Sequence, residues 1–254
     1  MVYARKNNAT RADIDYSELF GTGTFKNVYA GRYLAGSRAG EPCVAKQFRP
    51  GCPVEDQYFE EELNICAKAQ EIIDEFNDAE IMNQKIVLNT PEIWTCTTKH
   101  AVDMYGKKAL IEPMILNFEK FNSNSGWALN ERTGWSSALQ SLSHFSYHNS
   151  DGKLLLCDLQ GGRYNDGFVL TDPVIMSKDQ EYGPADLGLD GIRSFFDGHR
   201  CSEFCRRGWS KPRDPILNLG KPKRIPMTRG TTMKPYLPTR SSRTPMTWFG
   251  KRSY

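Results

Sequence analysis

The feature that most constrains this chain is the stretch from Ser143 to Cys205, where two sets of chemistry-bearing side chains are concentrated. The first set is built on oxygen. Asp151-Gly152 reads as a tight turn, and Lys153–Leu159 as a buried strand behind it. Asp158 and Gln160 stand i and i+2 at the end of that strand, so in an extended chain both side chains project to one side. Asp172 follows a glycine-bearing stretch (Gly161, Gly162, Gly167) and a second short strand, Phe168–Leu170. Two carboxylates and an amide oxygen at strand ends suit Mg²⁺, which takes a few hard oxygen ligands and keeps water or phosphate for the rest. A plainer reading is also open: turn-capping Asp residues beside a surface Gln.

The second set is soft. His199, Cys201 and Cys205 form H-x-C-x3-C behind a helical stretch, Gly188–His199, in which Ile192, Phe195, Phe196 and His199 share a face. If the helix resumes, Cys201 and Cys205 are one turn apart. A structural zinc needs four such ligands, so one of His100, His144 and His148 has to complete the set. The bland alternative is a packed histidine at the end of an apolar face. The seven cysteines are an odd number and irregularly spaced apart from this pair. The N-terminal residues carry no apolar signal core, and no run of ~18 apolar residues offers a membrane span. A reducing, cytoplasmic setting follows, where Cys/His clusters favour metal over disulfide.

The N-terminal part reads as a sheet with one long helix. Leu19–Tyr33 is a hairpin entering a strand, with Gly21 and Gly23 at its turn. Such glycines let backbone N–H groups approach phosphate, and equally serve an ordinary tight turn. Glu41–Phe48 is a strand with Val44 and Lys46 on one side; a lone strand lysine is ordinarily a solvated edge residue. Its place one strand after a glycine-rich turn is where a kinase keeps its phosphate lysine. Asp56–Asn77 is a helix whose apolar face is Phe59, Leu63, Cys66, Ile73 and Phe76. Ile86–Leu88, Ile93–Cys96 and Lys108–Ile111 are further strands of the same sheet, ended by Pro113. Ile111–Trp127 is then a polar loop, either a hinge between lobes or a surface loop. Trp135–Tyr147 is a helix with Trp135, Ala138, Leu142 and Phe145 on one face.

Past Trp209 the apolar pattern dissolves, and the tail reads as disordered. From Lys211 onward eleven Lys and Arg stand against one acid, which leaves the remainder of this +3 chain at −7. A tail of this charge favours contact with acidic partners, while the acidic body argues against nucleic acid.

Five motifs in order, SHFSY from Ser143, LCDLQG from Leu156, LTDP from Leu170, YGPADLG from Tyr182 and HRCSEFC from His199, resemble the alpha-kinases. These are atypical protein kinases that include myosin-heavy-chain, elongation-factor and channel-linked kinases. The resemblance runs from about Tyr16 to Trp209. It implies an α+β, two-lobed protein-kinase-like fold with a structural zinc module in the C-lobe. The catalytic domain would span 12–209, with an N-lobe of about 12–113, a C-lobe of about 114–209, and a basic tail from 210 to 254. It implies an ATP-dependent serine/threonine kinase acting on a protein hydroxyl. Asp158 resembles the catalytic aspartate and Lys46 the lysine on ATP phosphates. Gly21, Gly23 and Lys26 resemble the nucleotide loop, Glu112 and Met114 the hinge that meets adenine. Gln160 and Asp172 resemble the magnesium ligands, and His144, His199, Cys201 and Cys205 the four zinc ligands, with His148 outside the set. Gly161, Gly162 and Gly167 correspond to a second glycine-rich loop on the substrate side.

The sequence departs from the family in two places. Lys26 stands where an arginine is usual, and the stretch DLQGGRYNDGFVLTDP is longer than in its relatives. The His-Arg-Asp, Asp-Phe-Gly and Ala-Pro-Glu motifs of conventional kinases do not occur. The competing readings are a pseudokinase scaffold, whose mark would be loss of Lys46, Asp158, Gln160 or Asp172, and a zinc-stapled RNA-binding protein with a basic tail.

Overall fold

The computed structural model describes residues 4–49, 55–98, 104–129, 134–212, 232–233 and 247–250. In chain order the elements are β1 (Ala4–Lys6), β2 (Ala9–Ile14), β3 (Gly21–Thr22), β4 (Lys26–Gly36), β5 (Pro42–Phe48), α1 (Glu55–Asp78), β6 (Lys85–Thr90), β7 (Glu92–Cys96), β8 (Lys108–Pro113), β9 (Glu119–Lys120), α2 (Gly134–Asn149), β10 (Leu154–Cys157), β11 (Gln160–Tyr164), β12 (Gly167–Thr171), β13 (Val174–Ser177), α3 (Gly188–Gly198), β14 (Thr232–Met233) and β15 (Thr247–Gly250). They fall into two compact units whose pieces alternate along the chain. Arg5–Phe59, Asn89–Leu116 and Gly230–Tyr254 make one, and Glu60–Leu88 with Asn117–Arg229 the body of the other. The sequence points to one boundary near Pro113; the chain instead leaves and re-enters each unit.

The first unit is a closed antiparallel barrel. β4 pairs β2, β2 pairs β15, β15 pairs β7, β7 pairs β8, β8 pairs β5, and β5 returns to β4. Alternation decides what faces in. Ala12, Ile14, Tyr33, Cys43, Ala45, Trp94, Cys96, Ala109 and Ile111 fill the interior. Polar groups there are matched: Asn7 Nδ2 and Trp94 Nε1 both donate to Glu92 Oε2 at 3.0 Å, and the Tyr33 hydroxyl donates to Asn7 Oδ1. At Gly31 a Cβ would stand 2.4 Å from the Asp13 carbonyl oxygen, so β4 needs glycine where it crosses β2.

The tail corrects the sequence reading. Thr247–Gly250 is not a solvated linker but the stave between β2 and β7, with Thr247 opposite Asp13 and Trp248 opposite both Ala12 and Cys96. Thr232–Met233 pairs with β3. Four residues are too few to show a strand period, and the Trp248-Phe249 pair is their only local cue. The rest of the expected disordered tail, 213–231, 234–246 and 251–254, lies outside the described residues.

The second unit packs helices on a mixed sheet. Ile65, Cys66, Ala69, Ile72, Ile73 and Phe76 of α1 recur at three- and four-residue steps and bury against Leu139, Leu142 and Phe145 of α2 and Phe168 and Leu170 of β12. Leu63, expected on this face, is only half-buried. β6 also departs from expectation. Rather than extending the N-terminal sheet, it runs parallel to β12, with Ile86 opposite Phe168 and Leu88 opposite Leu170. Apolar alternation marks a strand without naming its neighbour. What fixes β6 is Asn77 at the end of α1, whose side chain donates to Ile86 O (2.7 Å) and accepts from Ile86 N (3.0 Å). No helix among the described residues is long and apolar enough to cross a membrane.

Candidate functional site

The oxygen-bearing residues sit on one long hairpin folded across a corner. Its inner half is β10 with β13, ending at the pair Cys157–Val174. Its outer half is β11 with β12, beginning at the pair Gln160–Thr171. Between them each arm spends two residues, Asp158-Leu159 on one and Asp172-Pro173 on the other. Both aspartates are left-handed, with φ of 57° and 47°. That conformation costs an L-residue roughly 1–2 kcal/mol, and Asp is among the residues that bear it best. The extended strand expected through Leu159 is therefore broken, and Asp158 and Gln160 do not share a strand face. The break lies at the same level on both arms, where the pairing that ends at Cys157–Val174 resumes at Gln160–Thr171. Gln160 Nε2 donates to Asp158 Oδ2 at 3.3 Å and to Asp172 O at 3.5 Å. Its Oε1 is buried with no hydrogen-bond partner among the described residues. A buried amide oxygen without a partner costs free energy, and a hard cation would supply that partner.

The glycines expected to form a second loop have another cause. Gly161, Gly162 and Gly167 lie in β11 and β12. A Cβ on Gly161 would stand 1.8 Å from Val169 O, and one on Gly167 2.1 Å from Lys85 O. Gly161 and Gly167 let neighbouring strands approach.

Two residues that sequence reasoning passed over complete the corner. Lys120, on β9 beside β11, reaches the buried Asp158 Oδ1 at 2.5 Å, with 9% of its own side chain exposed. Asn122 accepts a hydrogen bond from Leu159 N at 2.9 Å. The stretch read as a hinge or surface loop contains the boundary between the two units, at Leu116 and Asn117, and its Asn/Ser part is buried: Asn124 Nδ2 donates to Ala185 O at 2.8 Å, and Asn122, Ser123 and Asn124 are all buried. Nothing local marks a loop-like FNSNSG as interior. Only the uncommon density of short amides, each able to pair main-chain groups, hints at it.

In the barrel unit, Lys46 corrects the edge reading. It is 3% exposed on the outer face of β5, and its Nζ meets Glu112 Oε1 of β8 at 2.7 Å. Glu112, expected at the adenine hinge, spends its carboxylate on Lys46. Val28, Val44 and Met114 form a small buried apolar patch on these strands. Met114 N donates to Pro42 O at 3.1 Å and Met114 O accepts from Arg5 Nη1 at 3.3 Å, so what Met114 adds to that patch is its thioether. Gly21 lies in β3, Gly23 N closes the turn on Lys26 O at 2.8 Å, and Lys26 is buried at the start of β4.

The soft set assembles too. α3 ends at His199, and the helix does not resume: Cys201 and Cys205 are brought round by turns, with Cys205 N donating to Ser202 O. One ligand atom each from His144, His199, Cys201 and Cys205 lie within 4.8 Å of one another. His199 Nε2 is 3.2 Å from His144 Nδ1, Cys201 Sγ 3.8 Å from His144 Nδ1, and Cys205 Sγ 3.7 Å from His199 Nε2. A tetrahedron with Zn–N of ~2.0 Å and Zn–S of ~2.3 Å has edges of about 3.3–3.8 Å, so the group could hold zinc. His144 Nε2 faces Ser210 O at 3.0 Å, which leaves Nδ1 as the ligand atom. Burial lowers both imidazoles to about 4, with His144 adding to the effect at His199, so both are neutral and able to ligate at neutral pH. His148 instead bonds Ser210 and stands outside the group.

The alpha-kinase family profile matches residues 21–205, and the chain belongs to that family. Similar proteins include the alpha-protein kinase vwkA of Dictyostelium discoideum (38% identity over 35% of this chain and 14% of that protein) and alpha-protein kinase 1 of the same organism (28% over 73% and 13%). Human transient receptor potential cation channel subfamily M member 6 is 35% identical over 48% of this chain and 6% of its own length. The matches thus span a seventh or less of these relatives. The C-terminally truncated alpha-kinase domain of myosin heavy chain kinase shares the fold at a TM-score of 0.66 and 21% identity, over 77% of this chain and 88% of that domain. So does the inactive domain of myosin-II heavy chain kinase A complexed with ATP, at 0.64 and 20%, over 76% and 87%.

Proposed function

We propose that this chain is an atypical protein kinase that transfers the γ-phosphate of ATP to a serine or threonine hydroxyl of a protein. The observation that carries the reading is the hairpin corner. A buried amide oxygen lacking a partner, two left-handed aspartates and a lysine paired with one of them meet there in a chain of a kinase family. Asp158 orients the attacking hydroxyl and takes its proton; Lys120 holds its carboxylate. Gln160 Oε1 and the Asp172 carboxylate would hold Mg²⁺, which when bound supplies neutralising charge on the phosphates. Lys46 acts on those phosphates and Glu112 orients it, while Val28, Val44 and Met114 offer adenine an apolar floor. Gly21, Gly23 and Lys26 line the nucleotide loop. The catalytic domain is 12–209, joined by the stave at 247–250. His144, His199, Cys201 and Cys205 bind a structural zinc: four protein ligands leave no position for water or substrate. A reducing compartment such as the cytoplasm keeps those thiols available. Positioning and charge stabilisation carry such a transfer. The pseudokinase and RNA-binding readings lack support of this kind, since Lys46, Asp158, Gln160 and Asp172 are all present.

The test is labelled-phosphate incorporation from ATP into a generic basic protein. Transfer by the wild type and none by Asp158→Ala is expected; equal transfer by both sinks the assignment.

A further inference from the structure

We infer that Asn122 is a positioning residue for Asp158, holding the corner through the main chain of Leu159. The inference deepens the kinase reading and rests on it. Asn122 is 1% exposed and Ser143 fully buried. The Asn122 carboxamide is used at both ends: Oδ1 accepts from Leu159 N at 2.9 Å, and Nδ2 donates to Ser143 Oγ at 3.0 Å. The neighbouring Phe121 N donates to Leu159 O at 2.9 Å. Both peptide groups of Leu159 are thereby tied to one segment. The orientation of the Asp158–Leu159 peptide sets ψ of Asp158, the residue that carries the left-handed bend. The same segment supplies Lys120, whose Nζ meets the Asp158 carboxylate. Lys120 thus acts on the head of Asp158 and Asn122 on its backbone, two residues apart.

The amide orientation follows from chemistry. Leu159 N–H can only donate, so the atom facing it is oxygen, and the nitrogen is left for the Ser143 hydroxyl. An aspartate here keeps an acceptor for Leu159, and Ser143 can turn its hydroxyl to donate to the other oxygen. An alanine removes the acceptor and leaves a buried N–H unpaired. Ser143→Ala removes only the outer partner. The acceptor, rather than the amide or its bulk, is what the corner requires.

The experiment uses the full chain as wild type, Asn122→Asp, Asn122→Ala and Ser143→Ala. Two measurements run in parallel: phosphate transfer across a range of ATP concentrations, and residue-resolved amide hydrogen exchange at Leu159. Asn122→Ala should lower kcat about 10- to 100-fold with the KM for ATP within about twofold, the size expected when a catalytic group is displaced by about 1 Å. Its Leu159 amide should exchange faster. Asn122→Asp should restore slow exchange and most of kcat, and Ser143→Ala should fall between the two. If Asn122→Ala does not fold, the ordering of Asn122→Asp and Ser143→Ala against wild type decides. Wild-type kcat in Asn122→Ala, a rise in KM alone, or Asn122→Asp as slow as Asn122→Ala overturns the inference. Absence of transfer by the wild type defeats the kinase reading instead. The exchange arm then still judges the clamp, which fails if Leu159 stays protected in Asn122→Ala.

Discussion

The two units place their chemistry by opposite means. In the barrel, Lys46 and Glu112 stand on regular strands, and register brings them together: Val44 is opposite Glu112, and Lys46 opposite Leu110. In the helical unit most site residues sit where regular structure stops, His144 within α2 being the exception. Asp158 and Asp172 occupy the corner of a hairpin, and His199, Cys201 and Cys205 follow the end of a helix. A regular frame tolerates change along its length, because each residue is placed by many equivalent pairings. A break is held by a few specific bonds. Damage should therefore be graded and local in the barrel, and severe at single positions in the helical unit.

The largest test of that contrast is the His/Cys group. Zinc binding of this kind is worth on the order of 10 kcal/mol and is coupled to folding, against a typical domain stability of roughly 5–15 kcal/mol. Cys201→Ala and Cys205→Ala should give insoluble or unfolded protein, and elemental analysis of wild type should find one zinc per chain. A well-folded, metal-free wild type would remove the metal from the account. Next is the buried pair in the barrel. Lys46→Ala strands the Glu112 carboxylate, and breaking such a pair costs about 3–5 kcal/mol. Lys46→Met with Glu112→Gln should recover much of that loss in denaturant titrations while phosphate transfer stays abolished. A double variant no more stable than Lys46→Ala would show that the pair is not what burial costs here.

Removing residues 247–250 should lower the melting temperature by several degrees, since β2 and β7 would each lose a neighbour. An unchanged melting temperature would mean the barrel stays closed without that stave. A smaller effect comes with pH. The folded-state pKa of both His144 and His199 is about 4 against an ordinary 6.5, so between those values the unfolded chain binds protons that the native one does not. Stability should fall as pH drops from 6.5 towards 4. Above pH ~5 carboxylates add little to this slope. Denaturant midpoints at pH 7.0 and 5.2 measure it, and equal midpoints would contradict burial of neutral imidazoles. His148→Ala, outside the group and half-exposed, should shift stability by less than about 1 kcal/mol.

The same contrast explains what could be read in the sequence. Helices with a clean apolar period, such as α1 and α2, were legible because the residues of one buried face recur every three or four positions. So was the His/Cys group, whose residue types are restricted by the ion they suit. Lys120, Asn122 and the bend at Asp158 were not. Each depends on a partner 37 or 38 positions away, and a buried polar residue looks like a surface one until that partner is known. The neighbours of β6 and β15 were hidden for a related reason: pairing is a choice among strands, and no single strand carries it.

The stave at 247–250 also bears on how this protein comes to be folded. Thr247 lies opposite Asp13, 234 positions earlier. A chain emerging from the ribosome presents β2 long before its second neighbour. At roughly 5–20 residues per second, β2 waits at least about 12 seconds and β7 at least about 8 with one edge uncovered. During that interval the nascent barrel is a strand acceptor, open to another chain's tail as readily as to its own.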